Sequence, residues 1–167
     1  MTLRLTLIAI AVAGLVGVIQ PATAQVAIGF GGVAHDSNQP VEAVSDNLTI
    51  DQTNGRALFS GNVIIIQGDL RIAAEDVEVI YSDIDGQRGV DEVIATGGVL
   101  ITRGEDAAEG EDAVYSVAAA TLTMTGDVLV TQGTTTIAGD SMVVDMTTGD
   151  GIVEGRVRTV LTPQSAP

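Results

Sequence analysis

The side chains of this chain that could do chemistry are almost all carboxylates. The sequence has 22 Asp and Glu residues against seven Arg, with a single His and no Cys. Paired carboxylates can act as general acids and bases or bind Ca²⁺, whereas disulfides and thiolate metal sites need cysteine. His35 stands in a glycine-containing polar segment without a second His or a carboxylate cluster, which favours a solvated side chain over a metal ligand.

Two acidic segments could bind a cation, and neither has the full pattern. The run Asp83-Ile84-Asp85-Gly86 lacks the third acid, the correctly placed glycine and the closing Glu of a calcium loop, so we interpret it as a solvated loop. The acidic residues between 104 and 112 indicate a solvated face that also discourages edge pairing. Because no nucleophile has a base in the β region, we predict no enzymatic activity, no metal and no cofactor.

The acids recur in a frame that they share with glycines. Gly61, Gly97 and Gly126 are each followed seven residues later by a second glycine, and seven residues after that by an acid. Gly97, Gly126 and Gly155 are 29 residues apart, whereas Gly61 precedes Gly97 by 36. We assign the seven extra residues to a loop between Tyr81 and Val93. A period of this size is typical of a stacked β architecture in which no unit buries its apolar face alone.

Within each unit, side chains alternate with period two, so one parity forms one face. This parity is apolar, whereas the other mixes Asn62, Asp127 and Arg156 with some apolar residues. We predict that the apolar face points inward and that the other is mostly wet. The predicted apolar interior consists of Leu48, Ile50, Phe59, Val63, Ile65, Val77, Val79, Tyr81, Val99, Ile101, Tyr115, Leu122, Met124, Val128, Val130, Met142, Val144, Val157 and Leu161.

The interior is poor in large rings. The chain has two Phe, two Tyr and no Trp. A β core of this size usually depends on rings for buried area, so we expect a smooth aliphatic interior that is incompletely filled. Such an interior would suit acyl chains. A dry β core fits the same alternation, and periodicity does not distinguish these two interpretations.

The first 24 residues have the parts of a secretory signal peptide. Arg4 supplies a positive charge, residues 5–19 are almost entirely apolar, and residues 22–24 form an Ala-x-Ala site. An uncleaved anchor is the alternative, because the apolar run is not far short of the roughly 20 residues that span a bilayer. Pro21 and the Ala-x-Ala site favour cleavage, which would make Gln25 the first residue of the exported chain.

The rest of the chain reads as one all-β domain between two short ends. Residues 25–39 contain glycines and polar residues without a period, which indicates a flexible leader. Residues 40–163 alternate between strands and turns, and residues 164–167 are predicted to fray. After cleavage, six Arg face 22 acids, a net charge of −16. Such a surface repels nucleic-acid phosphates, so we expect no nucleic-acid partner.

Four stretches of this sequence resemble a known family. Residues 58–68 and 72–77 are similar to the central strands of the periplasmic lipopolysaccharide transport proteins of the LptA, OstA-like family. Residues 39–46 are similar to that family's first strand, and residues 156–163 to its last. The resemblance covers about residues 39–163, and related domains occur in LptC and at the N-terminus of LptD.

The resemblance implies a β-jellyroll, an incompletely closed stack of antiparallel strands whose apolar interior holds the acyl chains of lipopolysaccharide. It further implies a periplasmic bridge in which copies join head to tail as a homo-oligomer and contact LptC-like and LptD-like jellyrolls. The apolar interior defined above would then be the lipid-binding site. Two alternatives remain: a self-associating structural β module with a dry core, and an LptC-like, membrane-anchored member of the same family.

Overall fold

The computed structural model describes residues 26–29, 40–84 and 87–162. These residues form antiparallel strands and turns, and they include no helix that is long and apolar enough to cross a membrane. The predicted signal peptide, His35, Asp85-Gly86 and the C-terminal end lie outside the described residues. The strands are β1 (Val26–Gly29), β2 (Val41–Val44), β3 (Asn47–Asp51), β4 (Arg56–Gln67), β5 (Leu70–Ile84), β6 (Gln87–Thr96), β7 (Val99–Arg103), β8 (Asp106–Gly110), β9 (Asp112–Ser116), β10 (Thr121–Gln132), β11 (Thr135–Asp145), β12 (Asp150–Glu154) and β13 (Arg158–Leu161).

The strands form one hydrogen-bonded sheet that folds lengthwise into two layers. The four long strands β4, β5, β10 and β11 each contribute one half to each layer. The first layer runs in the order β1-β12-β11-β10-β9-β6-β5-β4-β3, and the second in the order β13-β11-β10-β8-β7-β5-β4-β2. The layers therefore meet along a single fold line, the ridge. The opposite side, which we call the mouth, is bordered by the turns that join the strands.

The ridge is made where the backbone changes layer. In β4 the register shifts between Ser60 and Val63, and in β10 between Thr125 and Val128. β5 and β11 pass the ridge without a break, whereas elsewhere the change of layer ends one strand and begins another. Residues 41–51 divide at Ser45-Asp46, and residues 150–161 divide at 155–157.

The ridge explains the repeated frame of glycines and acids. Along the stack it alternates an acid with a glycine of positive φ: Asp46, Gly61, Glu75, Gly97, Glu111, Gly126, Asp140 and Gly155. Each acid side chain lies over the next glycine; a Cβ on Gly126, for example, would stand 2.5 Å from the Cβ of Glu111. Glycine is required at Gly126 both because its φ is 84° and because the neighbouring carboxylate fills the space of a side chain.

The seven extra residues of the first repeat do not form the predicted loop. They lengthen the hairpin of β5 and β6, which pair as far as Ile84 and Gln87. A register shift between Ile80 and Tyr81 accommodates the extension. The insertion is therefore ordered strand, and the assignment of a loop between Tyr81 and Val93 was wrong.

Part of the predicted flexible leader is also a strand. Val26–Gly29 forms β1, which pairs with β12 from Val26 opposite Val153 to Gly29 opposite Asp150. Ile28 belongs to the core cluster and is only 6% exposed. The leader is thus structured in these four residues, and residues 30–39 lie outside the described part. The main core between the layers is apolar, and its largest fully buried side chains are Ile101, Met124, Met142, Val63, Val77, Val99, Val128, Val130, Val144 and Val153.

Candidate binding groove

The space between the layers is sealed near the ridge. Here Val63, Val99 and Val128 come from the second layer and meet Met124 and Met142 of the first, and none of these side chains is more than 2% exposed. Every second residue of each strand contributes, because successive side chains point to opposite faces of a sheet. This half of the interior is a packed, dry core.

Nearer the mouth the packing is incomplete. A cavity of ≈ 80 Å³ lies between the layers, and its lining is apolar apart from one amide and one phenol. Drug-sized ligands usually occupy pockets of about 300–1,000 Å³, so the cavity as it stands is too small for several acyl chains. It marks the place where the layers fit least closely. The lining residues are Ile65, Gln67, Leu70, Ile72, Ile101, Tyr115, Leu122 and Met146.

One charged side chain also points inward. Arg103 is 5% exposed, follows Ile101 on the same face of β7 and is the only buried charged residue among those the structure describes. Its Nε donates a hydrogen bond to Asp69 Oδ2 at 3.3 Å, where the neighbouring mouth turn brings a carboxylate that is 62% exposed. Arg103 shares the inward parity of Val99 and Ile101 in the sequence, but it was missing from the predicted interior.

The structure divides the predicted apolar interior into four groups. Nine residues are in the sealed half or beside it, four line the cavity, three are half-buried and three are exposed. The groups are Val63, Val77, Val79, Val99, Met124, Val128, Val130, Met142 and Val144; then Ile65, Ile101, Tyr115 and Leu122; then Phe59, Tyr81 and Val157; and finally Leu48, Ile50 and Leu161. Leu70, Ile72 and Met146 line the cavity and were missed, because Leu70 and Met146 adjoin turns and Ile72 precedes the ridge acid.

The mouth turns at the two ends of the first layer use the same carboxylate device. Asp51 Oδ1 accepts hydrogen bonds from the backbone N–H groups of Thr53 and Asn54, and Oδ2 accepts one from the Asn54 side chain at 2.6 Å. Asp145 Oδ1 accepts from the N–H groups of Thr147 and Thr148. Hydrogen bonds to the charged form lower a carboxyl pKa. The pKa of Asp51 is lowered chiefly by the Asn54 side chain, and that of Asp145 by the Thr147 N–H.

The remaining titratable groups of the groove do not form a reactive constellation. Burial raises the pKa of the Tyr115 phenol, which keeps it neutral beside the cavity. Within residues 26–29, 40–84 and 87–162, no three His, Cys, Asp or Glu side chains are close enough together to hold a metal ion. What the groove offers is therefore apolar surface, with a neutral phenol and a paired guanidinium near its mouth.

Two antiparallel layers that share one ridge and enclose an apolar, partly open interior define an incompletely closed β-jellyroll. The family described as LptA/(LptD N-terminal domain) LPS transport protein matches residues 42–150. The chain therefore belongs to this family of lipopolysaccharide transport proteins, which is not a family of enzymes.

Two relatives show how far the similarity extends. The chain is 30% identical over 143 residues to the uncharacterized protein R00383 of Rhizobium meliloti strain 1021. The matched region covers 80% of this chain and 77% of that protein. The fold of the present chain is similar to that in the crystal structure of LptH, the LptA-homologous periplasmic component of the lipopolysaccharide transport device of Pseudomonas aeruginosa. That match has a TM-score of 0.66 at 18% identity and covers 77% of this chain and 99% of LptH, which confirms the predicted jellyroll.

Proposed function

We propose that this protein is a periplasmic, lipopolysaccharide-binding bridge component that carries lipopolysaccharide from the inner to the outer membrane, with the acyl chains held between the layers. The observation that supports this proposal best is the apolar interior, sealed at the ridge but loosely packed at the mouth. Lipid would enter from the mouth side, where Ile65 of the second layer and Leu122 of the first both line the cavity. The sealed half would then act as the wall against which the acyl chains lie.

The energetics of such a site need no charge pair. Moving one acyl CH₂ out of water is worth about 0.8 kcal/mol, so a few chains on an aliphatic surface could hold a lipid. The exported chain carries a net charge of −16, which repels a phosphorylated headgroup and keeps it in solvent. An apolar interior combined with a negatively charged surface favours a lipid whose acyl chains lie inside the groove and whose headgroup lies in solvent.

The ends of the stack support a head-to-tail joint. The ridge begins with an acid, Asp46, and ends with a glycine, Gly155. A second copy placed after β13 would therefore continue the alternation of acids and glycines along the ridge. In the second layer every residue of the outer strands β13 and β2 is exposed, and the two strands run in opposite directions relative to the ridge, as antiparallel pairing requires. Arg158 on one edge and Glu42 on the other add opposite charges. LptC-like and LptD-like jellyrolls would join through the same edges.

Photo-crosslinking tests whether the interior carries lipid. We expect a probe at Ile65 to capture lipopolysaccharide and a probe at Ile64 to capture none, because these half-buried neighbours on β4 face opposite sides of the sheet. Leu122 and Thr123 provide a second matched pair on β10. Equal capture at both parities, or no capture at the inward positions of a folded protein, contradicts the groove.

A structural module with a dry core is the second candidate, and the sealed half of the interior favours it. Protein purified from its own periplasm distinguishes the two. Phosphate assay and native mass spectrometry should detect bound lipid if the chain is a carrier, and none if the interior is only a core.

The processing of the N-terminus tests the proposed location. We expect the intact mass of the exported protein to correspond to a chain that begins at Gln25. A protein that keeps residues 1–24 and fractionates with the membrane would instead be an LptC-like, anchored member of the family.

A further inference from the structure

The C-terminal end of the first layer is covered by a strand from the opposite end of the sequence. β1 pairs with β12, which is the last strand of that layer in chain order, whereas β2 and β3 lie at the other end of the stack. Ile28 reaches the core and is 6% exposed. The side chain of Gln132, at the mouth edge of the second layer, donates a hydrogen bond to the Gly29 carbonyl. These contacts close the end of the interior.

The strand β12 has a socket for this cover. Gly151 is buried, and a Cβ at that position would stand 2.8 Å from Ile28 Cγ1 and 3.1 Å from Val144 Cγ2. The missing side chain leaves room in which Ile28 sits. The β12 edge therefore accepts a strand that has one residue opposite Val153 and an isoleucine two positions later, opposite Gly151.

The strand β3 has the same features as β1. Both run from the ridge towards the mouth, because Val26 lies opposite Val153 and Asn47 follows the ridge residue Asp46. Their sequences also match in pattern: Val-Ala-Ile-Gly in β1 and Leu-Thr-Ile-Asp at residues 48–51. In β3, however, the apolar residues have no cover, since Leu48 is 51% exposed and Ile50 is 63% exposed.

The ridge register gives the partners that β3 of a second copy would meet. In β11, the residues two and four positions after the ridge acid, Met142 and Val144, pair with Val153 and Gly151. The residues two and four positions after Asp46 are Leu48 and Ile50. In a stack that keeps this register, these two residues would therefore face Val153 and Gly151, which are the partners of Val26 and Ile28 in the single chain.

We propose that β1 is a removable cap, which occupies the β12 edge of a single chain until β3 of a second copy replaces it. This inference rests on the proposed head-to-tail assembly and adds a competition at one of its two edges. The cap is four residues long, whereas a second copy would bring β3 to β12 and β2 to β13 together. Paired strands of both layers can therefore displace the single short strand, and the exposed Leu48 and Ile50 gain burial.

Two kinds of variant of the mature chain move the cap in opposite directions. Ile28→Asp, or deletion of residues 25–29, should remove the cap from the β12 edge. Ala27→Cys with Ile152→Cys should lock it, because these residues are directly opposite in the register and the chain has no other cysteine to mispair. Ile152 is 43% exposed, so the core is left untouched.

Sedimentation across a concentration series measures the outcome. The apparent affinity of a partner falls in proportion to the fraction of chains whose edge is free, so uncapped chains should assemble at a concentration about tenfold lower or more. The oxidised lock should stay monomeric, and reduction should restore assembly to that of the wild type. Unchanged or weaker assembly of the uncapped variants contradicts the cap, as does assembly of the oxidised lock.

Further readouts separate this inference from the proposed function. An oxidised variant that runs as a disulfide-linked dimer would show that β1 is exchanged between copies, which overturns the intramolecular cap. If no variant assembles, the uncapped edge does not pair and the cap proposal fails. In either case lipid capture at Ile65 against Ile64 still tests the groove by itself.

Discussion

The two ends of the stack differ although the same sheet forms both. At the C-terminal end Val153 is 0% exposed, because β1 covers its strand and the neighbouring Met142 lies inside. At the N-terminal end Leu48 and Ile50 have the inward parity but are 51% and 63% exposed. Parity decides which way a side chain points, whereas the presence of a further strand decides whether it is buried. A repeat protein needs such a cover at each end, and the residues that the structure describes supply one.

The largest expected effect is the loss of a core side chain at the covered end. Met142→Ala should lower the free energy of unfolding by about 2–5 kcal/mol, because it leaves a cavity beside Val153. Leu48→Ala at the open end is the matched change and should cost about 0.5 kcal/mol or less at concentrations where the protein is monomeric. Urea unfolding measures both. Similar losses would show that the N-terminal end is covered in solution.

The ridge should behave alike at both ends, which sharpens the contrast with the edges. Gly61→Ala and Gly155→Ala should each cost about 1–3 kcal/mol for positive φ, and more because the carboxylates of Asp46 and Asp140 occupy the space. Gly98→Ala is the control, since its φ is 85° but no atom lies within 4 Å of the added Cβ. Its urea midpoint should fall least of the three. A loss at Gly98 equal to the others would mean that the acids give way freely.

The smallest effect concerns the mouth turns. The pKa of Asp51 is lowered chiefly by the Asn54 side chain, so Asn54→Ala should raise it towards its ordinary value of 3.8 and leave Asp145 unchanged. The stabilisation that either depressed carboxyl provides is present above its unfolded pKa and is lost as the pH falls through the folded pKa. Carboxyl NMR titration measures both groups. A parallel change at Asp145 would mean that the two turns do not titrate independently.

Much of the fold follows from local rules that the sequence displays. Alternation placed Val63, Val99 and Val128 inward, and the spacing of glycines and acids identified the repeat, because period and turn chemistry are properties of neighbouring residues. The division of residues 41–51 and of residues 150–161 into two strands each was not predicted. Its cause lies in contacts between strands, where the side chain of Asp46 or Asp140 crosses the next glycine.

The features of the groove that were not predicted depend on distant partners. β1 consists of four residues that could belong to any short apolar segment, and only the bare edge of β12 makes them a strand. Arg103 has inward parity, but its burial depends on Asp69, which is 34 residues away in the chain. The size of the cavity likewise depends on how closely two layers approach, which no pattern along one strand contains.

The single ridge has a mechanical consequence. Every ladder hydrogen bond joins neighbouring strands and therefore runs along the stack, parallel to the ridge. Swinging the two layers apart about the ridge breaks none of these ladders. Apart from the hydrogen bond between Gln132 and Gly29, it separates mainly apolar side chains, at about 25 cal/mol for each Å² exposed. The molecule should thus be stiff against stretching along the stack and compliant against separation of its two layers. Such anisotropy would allow the distance between the layers to adapt to the contents of the interior while the length of each copy along the stack stays constant.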